Sequence, residues 1–435
     1  MASTAELASF DAVLKEVYEK SVISQLQRKT PILDMFMKET ELPWSGREVV
    51  WPIEIQGTES VGFTAEYGTL PDPGTPVYVD VKMPMRFTHG RVQFSQQVLQ
   101  ASRTSKGAFK RAMETHMSAL IRDLAFKREF ALWHDGSAKL ALMNDTGGAT
   151  FELKGPGGVG TTQTNANRYI NPKMNIAVVR DTDADGVADL LVGARSVTSI
   201  NTDGTDITPN SSLTTVAGDW VVWAANSSVT NLVTGTSANK APMGMLGLVD
   251  DGTYVITLHG VNRNTYPQYQ SRVFASVGAV SADVLQQAAD IADQLSGGEG
   301  IDKWMCHHSV RRAILKTMEA DRRYTNEHLM RPDMGTAAVK GPSKGKITFG
   351  GIPFQESYHA PYGILFGVSN ASGFTRWVDN EGEWASNDNR VLRNIVNQDA
   401  WEAFYRIFDN FSIDRPNCSV RLDGITADVV SIHIY

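Results

Sequence analysis

The most regular hydrophobic pattern in the chain lies between Gly107 and His134, where apolar residues recur at every third or fourth position. That spacing places them on one face of an α-helix. No proline interrupts the run, and Gly136 follows it as a stop signal. We therefore expect one amphipathic helix of about 40 Å at a rise of ~1.5 Å per residue, and we interpret it as a structural spine.

A second pattern predicts a long β-hairpin. Residues 47–57 and 76–89 are rich in β-branched and aromatic side chains with partial alternation, which is typical of strands. Between them, Thr58–Thr75 is rich in Gly, Pro and Thr and has no helical period. A connection of this length is not a tight turn. We therefore expect the hairpin to project with an open tip that needs a partner surface.

Two further segments differ in composition. The first forty-five residues have apolar positions at roughly helical spacing as far as Pro31, which indicates a helical arm. From Gly147 to about Asn262, Thr, Asn, Gly, Val and Asp dominate, which favours a small β-barrel or sandwich with a mobile loop at Gly155–Thr164. The strands predicted in this module are 175–180, 189–198, 219–224 and 253–258.

Helices return in the last third of the chain. Ser281 is a good N-cap for a helix over Ser281–Leu295, which Gly297-Gly298 closes, and a second helix is expected over Ser309–Ala320. The strands expected after them are 347–349, 352–354, 363–368, 375–378, 401–413 and 420–425. No internal repeat is visible, which argues against solenoids and propellers.

Composition narrows the class of protein. Hydrophobic residues make up 42% and charged residues 20% of 435, which excludes a disordered chain. No apolar run reaches the ~18–20 residues of a membrane helix and no signal peptide is visible, so we expect a soluble protein that is intracellular at synthesis. Two cysteines exclude a disulfide framework. The net charge of −7 argues against a protein that grips DNA.

The sharpest chemical motif is an acidic loop. Asp181, Asp183 and Asp185 alternate before Gly186, and Asp189 follows, so their oxygens could wrap a calcium ion. The spacing resembles EF-hand loops and the calcium loops of integrin-type propellers. It departs from the first because Val192 stands where a bidentate Glu is expected, and from the second because it occurs once. The alternative is an Asp-Gly turn between two strands that needs no metal.

Other motifs give no catalytic residue. Cys306-His307-His308 has no second ligand cluster nearby, so a loop before the helix at Ser309 is the better interpretation. The stretch Gly341–Lys346 lacks the first glycine and the Ser/Thr of a phosphate loop. We assign no catalytic residue and no cofactor other than the possible calcium ion.

The order of the predicted elements resembles that of tailed-bacteriophage major capsid proteins with the Hong Kong 97-type fold. The resemblance rests on the arm QLQRKTPILDMF, on the spine helix running into WHDGS, and on the ending RIFDNF, RPN and VRLDGI. The segments GIPF and APYG fit a strand and turn of the same family. The fold that it implies is α+β, with an N-terminal arm, an extended β-hairpin loop, a peripheral domain, an axial domain and a β-rich insertion.

The resemblance also implies a division of the chain. Its parts would be 1–45 for the arm, 46–92 for the extended loop, 93–146 for the peripheral domain with the spine helix, 147–262 for the insertion, 263–378 for the axial domain and 379–435 for the closing strands of the peripheral domain. Some relatives join subunits through a Lys–Asn bond. The tip has no lysine and Lys82 lies well down the second strand, so we expect no such cross-link.

The implied function is a structural, non-catalytic shell around double-stranded DNA, assembled in the host bacterial cytoplasm and carried in the virion. Its partners would be further copies in pentamers and hexamers, scaffold, portal and cement or decoration proteins, and DNA through weak non-specific contact. No membrane is expected. Aromatic residues suit subunit interfaces, and the contact residues that we predict are Trp44, Trp51, Phe63, Tyr67 and Tyr78. Trp44 and Trp51 could instead belong to the subunit's own core.

Three alternatives stay open. An encapsulin-like nanocompartment shell would share the fold and enclose a protein cargo. A calcium-dependent surface or adhesion protein would use the Asp181–Asp189 loop. A hydrolase would use His307 or His308.

Overall fold

The computed structural model describes residues 32, 35–39, 48–96, 106–321, 348–385, 391–395 and 397–431. For 37–39, 106–115, 318–321 and 380–381 it describes the backbone alone. The predicted helical arm therefore lies almost entirely outside the described residues. Among the described helices, none is both long enough and apolar enough to cross a membrane.

The predicted helix is present as Lys106–Trp133, 28 residues long, and we call it the long helix. It packs on a sheet that we call the long-strand sheet. The strands of this sheet are Met37–Glu39, Arg86–Ser95, Phe374–Trp384, Arg393–Asn394 and Ala400–Ile413. The helix lies close to the sheet at Gly90, where a Cβ atom would lie 2.9 Å from Leu124 Cδ1. Buried Arg128 on the helix pairs with Asp409 in the sheet, which also accepts from Arg376 at 2.8 Å.

The predicted hairpin forms from the antiparallel strands Glu48–Gln56 and Val77–Pro84. Its second strand is interrupted only at Met85 before the chain enters the long-strand sheet at Arg86. The predicted strand at 76–89 is thus the beginning of a longer ribbon. The hairpin is in this way continuous with the sheet beneath the long helix.

A closed six-stranded barrel follows the long helix. Its strands are Ala141–Met143, Phe151–Lys154, Asn175–Arg180, Leu190–Ile200, Asp206–Pro209 and Trp220–Trp223. Two-residue strands Gly147–Gly148 and Leu213–Thr214 pair beside it, and a short helix, Leu232–Gly235, comes after it. Barrel residues Phe151, Ile176 and Val221 pack in one hydrophobic cluster with Phe130 of the long helix and Tyr358.

The barrel does not have the bounds expected of the β-rich module. Its first strand begins at Ala141, before 147, because this strand comes almost directly after the long helix. After the barrel, a short helix at Met245–Leu248 and the paired strands Thr257–Leu258 and Val261–Asn262 pack in the main core with Trp133. The predicted strand at 253–258 is therefore reduced to its last two residues.

The predicted mobile loop at Gly155–Thr164 also differs from its expectation. It contains a 3₁₀ turn, Pro156–Gly158, whose first two residues are buried. Gly157 lies against the ring of His134 at the end of the long helix. Its glycines allow this close approach. Sequence composition alone could not distinguish a buried glycine-rich turn of this kind from an exposed loop.

The last third of the chain forms a second sheet of six strands, which we call the central sheet. Its strands, in spatial order, are Arg272–Phe274, Val420–Leu422, Leu365–Val368, Lys303–Cys306, Ile352–Glu356 and Thr348–Phe349. The helices Ala282–Ser296 and His308–Asp321 pack on it. Ser281 caps the first of these by accepting from Val284 N, as predicted. Further 3₁₀ turns are Pro267–Tyr269, Asn370–Ser372 and Pro416–Cys418.

Candidate subunit interface

The base of the hairpin is fixed to its own subunit. Val81 and Met83 on the second strand are fully buried. Lys82 N donates to His259 O at 2.7 Å, and Asn410 Nδ2 donates to Pro84 O at 2.7 Å. The base therefore has a defined position relative to the long-strand sheet.

The tip of the hairpin, residues 57–76, is exposed. Its large apolar side chains Val61, Phe63, Tyr67 and Leu70 are 90%, 111%, 100% and 78% exposed. A turn holds the middle of the tip, where Gly68 N donates to Ala65 O at 2.8 Å. Several large apolar side chains exposed within one short segment are typical of an interaction site, and aromatic side chains supply much of the binding energy at interfaces.

The tip also carries charge of one sign. It contains Glu59, Glu66 and Asp72 but no lysine or arginine. Acidic groups around an apolar patch resemble the polar rim of a protein interface. A surface that accepts this tip should therefore combine apolar and cationic groups.

The predicted contact residues separate into three groups. Phe63 and Tyr67 lie in the exposed tip, and Tyr78, which is 59% exposed, lies at the start of the returning strand. Trp51 stacks on Trp377 of its own chain with ring centroids 5.4 Å apart, as the core alternative predicts. Trp44 falls outside the described residues.

Sequence reasoning missed two members of the tip. Val61 and Leu70 are also strongly exposed, at 90% and 78%, but the predicted contact residues are all aromatic. Large aliphatic residues inside a Gly- and Pro-rich connection were the signal that could have identified them.

The acidic loop is held by its own backbone. Carboxylate oxygens of Asp181, Asp183 and Asp189 lie within 4.8 Å of one another, whereas Asp185 is not part of this group. Thr182 N and Gly186 N donate to Asp189 Oδ2 and Asp181 Oδ2 at 3.0 and 2.9 Å. The hydrogen bond from Thr182 N lowers the pKa of Asp189. Calcium binding stays a prediction, and an Asp-Gly turn that needs no metal stays the alternative.

The Cys306-His307-His308 segment starts a helix. His307 Nδ1 accepts from Ser309 N at 3.1 Å, so the helix begins at His308, one residue before the expected start at Ser309. Cys306 is fully buried, and burial raises the pKa of its thiol to about 12. A thiol this basic is a poor nucleophile at neutral pH, so this segment has the properties of a buried helix start.

Comparisons with solved structures find similar chains, of which two capsid chains reach a TM-score of 0.50 or more. A chain of the cyanophage A-1(L) capsid asymmetric unit is 9% identical, covers 95% of this chain and 98% of its own, and has a TM-score of 0.57. The capsid of an empty GTA particle matches at 9% identity, 98% and 100% coverage and a TM-score of 0.50. The holo-SrpI encapsulin complex from Synechococcus elongatus PCC 7942 matches at 9% identity, 100% and 99% coverage and a TM-score of 0.45.

At the level of sequence, no protein-family model and no curated protein matches this chain. The structural likeness nevertheless extends over nearly the whole length of both capsid chains. The resemblance to phage capsid proteins is thus confirmed as a likeness of fold, with mixed α and β content.

Proposed function

We propose that this chain is the major capsid protein of a tailed bacteriophage. In this role it is a structural, non-catalytic subunit that assembles with identical copies into an icosahedral head around double-stranded DNA. The observation that carries the proposal is the hairpin tip, where large apolar side chains are exposed at the end of a hairpin whose base is fixed to its own subunit. The likeness of fold to subunits of two capsids supports an assembly of identical copies as the place where such a tip is buried.

In the Hong Kong 97-type arrangement that we propose, each part has a role. The hairpin is the extended loop, which lies across a neighbouring subunit. The long helix is the spine of a peripheral domain that includes the long-strand sheet. The central sheet and its two helices form the axial domain around the symmetry axes of pentamers and hexamers. The barrel is an insertion that is displayed on the shell.

The partners follow from this role. Closed shells repeat one set of interfaces many times, so the main partner is a second copy of this chain. Scaffold, portal and decoration proteins are further partners, and packaged DNA is held by weak non-specific contact. A net charge of −7 suits a container that must later release its DNA. The subunit would assemble in the host cytoplasm and end in the virion.

Electron microscopy of the expressed full chain, with a candidate scaffold protein where one is found, tests the proposal. Closed icosahedral particles that take up DNA are the expected result. Particles filled with a folded protein instead of DNA would favour the nanocompartment shell. A chain that stays monomeric at high concentration, with the tip protected by its own body, would overturn the proposal.

A further inference from the structure

A cluster of buried aromatic and basic side chains lies where the long helix, the barrel and the central sheet meet. Its centre is the Arg168 guanidinium, which lies 4.5, 5.5 and 4.2 Å from the ring centroids of Tyr169, Tyr358 and Tyr362. Three histidines complete what we call the Arg168 cluster: His134, His307 and His359. All seven side chains are buried.

The Arg168 cluster joins two segments that are far apart in sequence. One is the 163–170 segment between two barrel strands, and the other is the 357–363 turn that leaves the central sheet. Tyr169 Oη donates to His359 O, and Arg168 Nη2 donates to Ala360 O, each at 3.2 Å. Tyr358 Oη donates to Arg168 O at 3.2 Å in the opposite direction. These bonds hold the barrel to the central sheet.

The long helix forms a third wall of the cluster. The ring of Phe126 lies 4.5 Å from that of His359 in the turn, and the ring of Phe130 lies 4.6 Å from that of Tyr169 in the barrel segment. A rotation of the barrel against the helix therefore has to break the contact between Phe130 and Tyr169.

The charged and titratable groups around the histidines are mostly basic. The groups that face them are His134 and Asp135 from the long helix, Arg168 and Tyr169 from the barrel segment, His307, His308 and Arg312 from the start of the His308–Asp321 helix, and Tyr358, His359 and Tyr362 from the turn. Asp135 is the carboxylate of this set, and it already accepts hydrogen bonds from Ser137 and Lys139. A proton on any of the three histidines would thus add a second positive charge beside Arg168.

Each histidine is held in its neutral form by its surroundings. His134 Nδ1 donates to Phe130 O at 2.7 Å, and its Nε2 lies buried against Gly157 with no hydrogen-bond partner among the described residues. Burial and the nearby Arg168 lower the pKa of His134 to about 4 and that of His307 to about 2. The same two causes lower the pKa of His359 well below its ordinary value. A proton on His307 Nδ1 would also remove the acceptor of the Ser309 N–H.

We propose that the Arg168 cluster is an acid-sensitive joint. When its histidines take up protons together, repulsion from Arg168 separates the 163–170 segment from the 357–363 turn, and the barrel loosens from the central sheet while the rest of the subunit stays folded. The joint belongs to a single chain and does not depend on shell assembly.

The sign of the effect follows from linkage. The closed joint depresses the pKa of each histidine below its free value of about 6.5, so the open joint binds more protons below that pH. The closed state therefore has its full stability above about pH 6.5 and loses it as the pH falls. Each histidine can raise the opening equilibrium by up to about tenfold per pH unit, and three together by up to about a thousandfold.

Hydrogen exchange on the full chain between pH 7.5 and 4.5 tests the proposal. After correction for intrinsic exchange rates, the opening constants of amides in 163–170 and 357–363 should rise as the pH falls. The logarithm of the opening constant, plotted against pH, should have a slope larger than one, which means that more than one proton is taken up on opening. Amides of Ala400–Ile413, outside the joint, should keep their protection. A slope below one, or joint amides that open only together with that strand, would overturn the proposal.

Variants assign the protons to residues. His359→Phe keeps a ring between Phe126 and Tyr169 and should reduce the slope by about one proton. His134→Gln should do the same independently. The matched control is His116→Gln, which replaces an exposed histidine of the same helix and should leave the slope unchanged. Equal slopes in all three variants and the wild type would contradict the proposal even if one variant folds poorly.

Discussion

Arg421 donates from Nη1 to Asp250 Oδ1 at 2.8 Å, with both side chains fully buried. The other oxygen of Asp250 accepts from the backbone amides of Tyr254 and Val255 at 3.0 and 2.9 Å. Arg421 also donates to Val249 O at 2.6 Å, just beyond the short helix at Met245–Leu248. The closing strand of the chain is thus joined to the turn that follows the barrel.

Loss of one member of this pair should strongly destabilise the subunit. Arg421→Met removes the closer of two buried cations from Asp250 and leaves Arg263, whose Nη1 lies 3.4 Å from Oδ2. Removal of one partner of a buried pair typically costs about 3–5 kcal/mol. Chemical denaturation should show this loss in the free energy of unfolding. The matched control, Arg272→Met, removes an exposed arginine from the neighbouring strand and should have little effect. A similar free energy of unfolding for both variants would show that the buried Arg421–Asp250 pair does not stabilise the subunit.

The contact at Gly90 predicts a second stability effect. Its ideal Cβ position lies 2.9 Å from Leu124 and 3.0 Å from Leu120, so Gly90→Val should push the long helix away from the sheet. Overpacking of this kind costs about 1–3 kcal/mol. Gln93→Val, exposed on the same strand, is the control. Addition of Leu124→Ala to Gly90→Val should restore part of the lost stability, because it makes room for the valine. If stability does not recover, residue 90 does not contact Leu124 directly.

The tip should control assembly without affecting folding. Phe63→Asp with Tyr67→Asp places two charges on fully exposed positions, so the melting temperature and the circular dichroism spectrum should not change. Shell formation, measured by negative-stain microscopy and size-exclusion chromatography, should be lost. Val233→Asp, at a position 71% exposed beside the barrel, is the matched control and should still assemble. Shells formed by the double variant would show that the tip is not an interface.

The acidic loop should not need a cation to keep its shape. Because backbone amides already occupy oxygens of Asp181 and Asp189, we expect no change of the melting temperature with calcium or with chelator. If calcium binds, a free calcium concentration of a hundred times its Kd would instead add about 2.7 kcal/mol to the free energy of unfolding. A rise of that size, absent in Asp181→Asn, would establish the calcium loop.

Patterns within one element were predictable from sequence. The period of three to four over 107–134 gave a helix within one residue of Lys106–Trp133, since every turn of a helix returns the same face to the core. The N-cap Ser281 marked its helix start for the same local reason. The strand at Asn175–Arg180 was also predicted at its observed bounds.

Relationships between distant residues were not predictable. Nothing near Trp51 in sequence indicates that its ring stacks on Trp377. Asp250 looks like part of an ordinary Asp-Asp-Gly turn, yet its oxygens draw the amides of 254–255 out of the strand expected there. The Arg168 cluster combines four segments, around His134, Arg168, His307 and His359, and no pattern within one of them indicates the others, so only the tertiary structure identifies it.

The ribbon that returns from the tip has a mechanical consequence. From Val77 to Ser95 it runs for about 60 Å of backbone at ~3.3 Å per residue, interrupted only at Met85. Its far half is paired along its length with Ala400–Ile413. A pull on the tip by another molecule therefore acts along the strand axis on this whole row of backbone bonds. Traction at the tip is thus transmitted through the backbone of this ribbon to the sheet beneath the long helix.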